Sequence, residues 1–184
     1  TGDFLKYVNS VYPNSKLYGL ELNKSLIAKA KKQLPFVNKF YNLNILKAQN
    51  IGKFDYIIMS GVHSIFDDLY KPLKILKKLK NNKNSKIYIF GIWNPYNVDA
   101  VVRLKKTSKN NWEQGWNVFS IKTLETKLKK LGLKYKIYKF NLKLKIKKNK
   151  HDLFRSWSYH YSPKKNIIIN GSGIIHHFML VEIY

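Results

Sequence analysis

The sequence predicts an α/β fold built on a doubly wound, mostly parallel sheet, and three observations carry that reading. Through the first half of the chain, segments with a helical apolar period alternate with short apolar runs. Strands that alternate with helices imply right-handed crossovers and parallel neighbours. One run, Phe54 to Ser60, is almost continuously apolar, as expected of a strand covered on both faces. A chain of 184 residues is long enough for one well-buried domain and short for two. It has no internal repeat and no clear linker, so residues 1–184 are read as a single domain.

The elements follow in order. Phe4 to Tyr12 is a helix with Leu5, Val8 and Tyr12 on one face, ended by Pro13. Lys16 to Leu22 is a strand. Ser25 to Gln33 is a helix with Leu26, Ile27 and Ala30 inward, stopped before Pro35. Asn38 to Ile45 is a third strand region, and Phe54 to Ser60 the buried one. Lys71 to Lys80 is an amphipathic helix that buries Leu73, Leu76 and Leu79, and Lys86 to Ile92 is the next strand. Pro95 to Trp116 reads as a long connection with a short helical piece around Val98 to Leu104. Thr123 to Leu131 is a helix with Gly132 at its C-terminal stop. Tyr135 to Ile146 alternates like a strand, and its apolar phase slips near Tyr138, which predicts a bulge. Asn170 to Gly173 is a turn before a last strand, Ile174 to Tyr184.

Composition narrows the function classes. The chain has no cysteine, which excludes disulfides and cysteine-ligated metal. It has no apolar run of transmembrane length and no signal peptide, so a cytoplasmic protein is expected. Its five histidines lack metal-ligand spacing, so no metal site is expected. The formal charge of +25 fits a polyanion partner. Among 35 basic residues, however, only Arg103 and Arg155 are arginine, and Asn, Ile, Tyr and Phe abound. That pattern is read chiefly as coding bias of an AT-rich genome, with an RNA partner as the alternative. Lysines at 139, 143, 145 and 147 are read as protection of an edge strand.

The start of the chain is the strongest clue. Thr1-Gly2-Asp3-Phe4 is a small-residue turn opening a helix, and Glu21 ends a strand about 20 residues on. That is a nucleotide-binding layout: the turn admits a ligand close to the backbone, and the acid accepts two hydrogen bonds from a ribose diol.

Taken together, these pieces resemble a class I S-adenosylmethionine-dependent methyltransferase over nearly the whole chain, with some likeness to bacterial small-molecule or surface-sugar enzymes. Thr1-Gly2-Asp3-Phe4 looks like the end of that family's glycine-rich loop, and Tyr18-Gly19-Leu20-Glu21-Leu22 like its second strand. Asn42-Leu43-Asn44-Ile45 matches the segment after the third strand, with Asn44 where an aspartate often stands. Phe54 through Ser60, Gly61, Val62 and His63 resemble the fourth strand and the loop beside the methyl group. The resemblance implies a Rossmann-like sheet with an antiparallel C-terminal hairpin and S-adenosyl-L-methionine as cofactor. The family's first strand is missing from this chain, and an apolar strand with a glycine pair is expected upstream.

On this reading the cofactor residues are Thr1, Gly2, Asp3, Glu21, Leu22, Asn44, Ile45, Ser60 and Gly61. His63, just past a strand at its carboxyl edge, is the candidate general base. Arg103 and Arg155, rare arginines, are candidates to clamp an acidic group on the acceptor. Trp112 and Trp116 are candidates for an aromatic wall against a sugar or planar small molecule.

Overall fold

The computed structural model describes residues 2–105, 108, 110–140, 145–150, 155–162, 165–170 and 177–184. They fall into two compact units, Thr1–Gly52 and Lys53–Tyr184.

The first unit contains α1 (Asp3–Val11), β1 (Tyr18–Glu21), α2 (Lys24–Gln33), β2 (Lys39–Asn42) and a 3-10 turn at Ile45–Lys47. β1 and β2 run parallel, in register from Tyr18 opposite Lys39 to Glu21 opposite Asn42. Asn38 fixes that register at its start: its Oδ1 accepts from Leu17 N (2.7 Å), and its own N donates to Leu17 O (2.9 Å). α2 begins where Asn23 caps it, Oδ1 accepting from Ser25 N (2.9 Å) and Leu26 N (3.4 Å). It buries Ile27 and Ala30, which join Leu17, Leu34 and Ala48 in a small core.

The second unit contains β3 (Tyr56–Ser60), a 3-10 turn (Val62–Ile65), α3 (Tyr70–Leu79), β4 (Lys86–Trp93), β5 (Arg103–Lys105), β6 (Trp112–Gln114), α4 (Ile121–Lys130), β7 (Tyr135–Lys139), β8 (Trp157–Ser162), β9 (Lys165–Ile169) and β10 (His177–Ile183). Its main sheet has the order β3-β4-β10-β7. β3 and β4 are parallel, and β10 is antiparallel to both β4 and β7. β4 alternates strictly: Ile87, Ile89 and Trp93 are at most 1% exposed, while the residues between them are half-buried. Met179, Val181 and Ile183 of β10 are equally enclosed. Leu73, Leu76 and Leu79 of α3, as the sequence leads one to expect, and Leu124 and Leu128 of α4 complete this core. Each such leucine contributes about 1.5–3 kcal/mol by leaving water.

Several expectations need correction. The stretch around Val98 to Leu104 is not helical: residues 103–105 pair with 112–114 as the antiparallel ribbon β5–β6. Seven residues are too few to bury a helical face, and alternation at Val102 and Leu104 suits a ribbon. Parallel pairing of whole strands among the described residues is confined to β1–β2 and β3–β4, with isolated parallel bridges at Phe54–Lys80 and Asn94–Ser120; β10 and the ribbons β5–β6 and β8–β9 pair antiparallel. β3 is not covered on both faces: Tyr56 is 68% and Ile58 44% exposed. Its apolar run is therefore that of a strand with one face exposed. The pairing of β7 with β10 is regular from Tyr135 to Lys139, so no bulge falls there, and residues 141–144 lie outside the described set. β8 and β9 were not anticipated. The expected turn at residues 171–173 also lies outside the described residues.

Candidate functional site

In the first unit Glu21, Leu22, Asn44 and Ile45 lie at the carboxyl ends of β1 and β2. Glu21 ends β1, and its Oε1 accepts from Asn23 N at 2.8 Å. A carboxylate has about four lone-pair positions, so this bond leaves acceptor capacity. Opposite it, Asn42 donates from Nδ2 to Glu21 O (3.1 Å) and Leu22 O (2.8 Å), which pins the turn after β1. Leu22 stands 62% exposed beside it. Two residues after Asn42, Asn44 caps the 3-10 turn that starts at Ile45, its Oδ1 accepting from Leu46 N at 2.9 Å. Asn42 is the residue that sequence reasoning missed as a site element. Its signal was its place at the end of a strand whose neighbour ends in Glu21.

The glycine turn lies elsewhere in this unit. Gly2 caps α1 in the left-handed region (φ 97°) and sits against Leu34, which leads into the amino end of β2. Asp3 occupies the first turn of α1. Thr1 lies outside the described residues.

In the second unit, Ser60 ends β3 and is exposed. Gly61 then turns the chain with φ 72°, a conformation that costs other residues about 1–2 kcal/mol, and its N–H donates to Phe90 O at 2.8 Å. This turn drives His63 inward. Its ring is 1% exposed and stacks on Trp93, with centroids 4.3 Å apart and planes 17° apart. The ring also lies on Gly91, where a Cβ would fall 2.0 Å from His63 Cε1. Nε2–H donates to Ile92 O (3.1 Å), and Ser64 Oγ is 3.3 Å from the same nitrogen. Burial pushes the imidazole pKa down to about 4, opposed by the bond to Ile92. His63 Nδ1 and Trp93 Nε1 are both enclosed without a hydrogen-bond partner. At neutral pH His63 is an uncharged ring packed inside the unit, whereas a general base must come within about 2.6–3.2 Å of the proton it removes.

The acceptor candidates lie on the ribbon that follows. Arg103 donates to Asp67 Oδ1 at 2.5 Å, and Gln114 Nε2 donates to Ile65 O and, at 3.3 Å, to Asp67 Oδ1. Asn117 closes the set: Nδ2 donates to Phe66 O (2.7 Å), Oδ1 accepts from Val102 N (2.9 Å), and its backbone N donates to Ser64 O (2.8 Å). Arg103, then Gln114, holds the Asp67 carboxyl below the usual carboxylate range. The ribbon is thereby latched to the segment after β3. Trp112 and Trp116 are 67% and 50% exposed, and Arg155 is an exposed residue just before β8. Among the described residues no three His, Asp or Glu side chains could hold a metal ion, and no helix is long and apolar enough to cross a membrane.

No protein-family model and no curated protein matches the chain. Solved structures do. A complex of DhpI with S-adenosylmethionine and HEP matches with a TM-score of 0.60 at 10% identity, over 92% of this chain and 68% of that one. An O-methyltransferase from a trans-AT polyketide synthase of Brevibacillus brevis, bound to S-adenosylhomocysteine, matches at 0.56 with 13% identity. That match covers 75% of this chain but only 45% of the other. A S-adenosylmethionine-dependent methyltransferase from Methanosarcina mazei matches at 0.59 with 9% identity, over 98% of this chain and 85% of that one. This is the class I methyltransferase fold. The second half of the chain carries the mixed sheet β3-β4-β10-β7, with β10 antiparallel to its neighbours. The Rossmann-like α/β class expected from the sequence therefore stands.

Proposed function

We propose that this chain is a methyltransferase that uses S-adenosyl-L-methionine and acts on a small molecule or glycan precursor. The observation that carries the proposal is Glu21, an acid at the carboxyl end of β1 in a chain with this fold. The residues around it suit the cofactor's chemistry. The Glu21 carboxylate can take a ribose diol, the exposed Leu22 offers an apolar surface to a planar base, and the Asn44 amide can meet an exocyclic amine. S-adenosylmethionine, when bound, supplies an electrophilic methyl group for in-line displacement. The protein's part is orientation, which supplies roughly 7–11 kcal/mol when near-attack geometry is reached.

His63 is assigned a shaping role: its ring wedges the loop after β3 against Gly91 and Trp93, so the exposed part of that loop keeps one conformation. Arg103 acts on the acceptor only through the ribbon it latches, since its guanidinium is held by Asp67.

Calorimetry with S-adenosylhomocysteine tests the cofactor reading. Saturable binding is expected, weakened at least about tenfold in Glu21→Ala, or about 1.4 kcal/mol. Equal affinity in the variant, or no binding by the intact protein, refutes it.

A further inference from the structure

One side-chain amide fastens the turn that carries Glu21. Asn42 ends β2 directly opposite Glu21, which ends β1. Its Nδ2 donates to two successive carbonyls, Glu21 O at 3.1 Å and Leu22 O at 2.8 Å. A carboxamide nitrogen carries two hydrogens, one for each carbonyl. A carboxylate of the same shape carries none, so an aspartate at this position would set a negative charge against two carbonyl oxygens. From the other side, Asn23 N donates to Glu21 Oε1 at 2.8 Å. Asn23 is itself fixed: its Oδ1 accepts from Ser25 N, Ser25 Oγ and Leu26 N at the start of α2, a helix seated by Ile27 and Ala30. Residues 21–23 are thus held at their main chain by β2 and at the carboxylate by α2.

The two fastenings do different work. The bond from Asn23 engages one lone pair of Oε1, which leaves a second on Oε1 and two on Oε2. A ribose diol brings two hydroxyl donors and uses one acceptor on each oxygen. Such a pairing needs the carboxylate within about 0.5 Å of its productive place. A single bond to Oε1 leaves the carboxylate free to swing about that oxygen unless the backbone from which the side chain springs is also fixed. Asn42 fixes that backbone, at the carbonyl of Glu21 itself and at the next one. These bonds are solvent-exposed, so water competes for the carboxylate, and orientation set in advance is what favours the ligand. We propose that Asn42 is a positioning residue for nucleoside recognition: by holding the carbonyls of Glu21 and Leu22 it aims the Glu21 carboxylate at a ribose diol, and so sets a preference for ribose over deoxyribose. The proposal rests on the cofactor reading of Glu21 given above and adds to it the residue that orients the acid.

Calorimetry on the intact protein with two probes tests it: S-adenosylhomocysteine and its 2′-deoxy analogue. The ribose ligand should bind at least about tenfold tighter than the deoxy one, as one hydrogen bond to a charged group warrants. In Asn42→Asp, which keeps the shape and removes the donors, that preference should shrink to within about threefold, while affinity for the deoxy analogue moves less than about twofold. Asn42→Ala removes the donors without adding charge and should read the same. Combined with Glu21→Ala, either substitution should add nothing to the loss that Glu21→Ala causes alone, because Asn42 acts through Glu21. Equal losses for the two ligands would make Asn42 a support of the whole unit and no more. Unchanged affinities, or losses that add to those of Glu21→Ala, would detach it from the carboxylate. Each of these overturns the proposal and leaves the cofactor reading standing, since Glu21→Ala is measured by itself on the same probes. No binding of S-adenosylhomocysteine by the intact protein overturns both.

Discussion

Gly91 has no side chain because His63 fills the space where one would be. Gly91→Ala puts a Cβ 2.0 Å from the ring, and the ring has Trp93 behind it. Overpacking of this kind costs about 1–3 kcal/mol, to be read as a lower urea midpoint with an unchanged slope. The same burial gives a pH signature. The folded pKa of His63 is about 4, below its ordinary 6.5, so between those values the unfolded chain holds the extra proton. Stability from this group is constant above about pH 6.5 and declines as the pH falls toward 4, by about 3 kcal/mol in all. A His63→Gln variant should lack that decline in pH-dependent unfolding. Asp67, Asp68 and Glu182 are held below the usual carboxylate range, Asp68 despite its own desolvation, so their contributions fade only at the acid end.

At the scale of elements, end chemistry and latches decide what forms. Asn23→Ala removes the cap of α2 and should cost about 1 kcal/mol in thermal unfolding. Asp67→Ala frees Arg103 and one bond of Gln114, so proteolysis after Lys105 should quicken while far-ultraviolet circular dichroism stays unchanged. An unchanged cleavage rate would mean that Asn117 and the Gln114–Ile65 bond hold the ribbon without Asp67.

The helices were legible in the sequence because each has a periodic apolar face and a stop signal such as Pro35 or Gly132. β1, β2 and β4 were legible from their apolar runs. The β5–β6 ribbon was not, because its strands are three residues each and its stability comes from side chains 35 to 50 positions away, Arg103 to Asp67 and Gln114 to Ile65. His63 shows the same limit at one residue. Its position after β3 was legible, but whether the ring turned outward or inward depended on Gly91, a distant residue in the sequence. The exposure of Tyr56 and Ile58 was hidden for a related reason: an apolar run does not say whether both faces of its strand are covered.

For the whole molecule the dominant long-range term is charge. A net +25 repels itself, and the main sheet answers it at one place, where Glu182 joins Lys86 (2.6 Å) and accepts from Tyr138 Oη (3.1 Å). Salt should therefore raise the melting temperature across about 0.02–0.5 M, by screening repulsion within a Debye length that falls from above 10 Å to below 8 Å. A melting temperature that falls with added salt would show that ion pairs outweigh the repulsion.

The position of β10 also sets a schedule. It is the latest of the described strands to be synthesised, yet it lies inside the main sheet, between β4 and β7. While the ribosome makes everything from Asn94 to His176, β4 has β3 on one side and an open edge on the other. At roughly 5–20 residues per second that wait lasts several seconds. During it, Ile87, Ile89 and Trp93 lack the strand that encloses them. The main sheet thus closes on that side only after synthesis has reached β10.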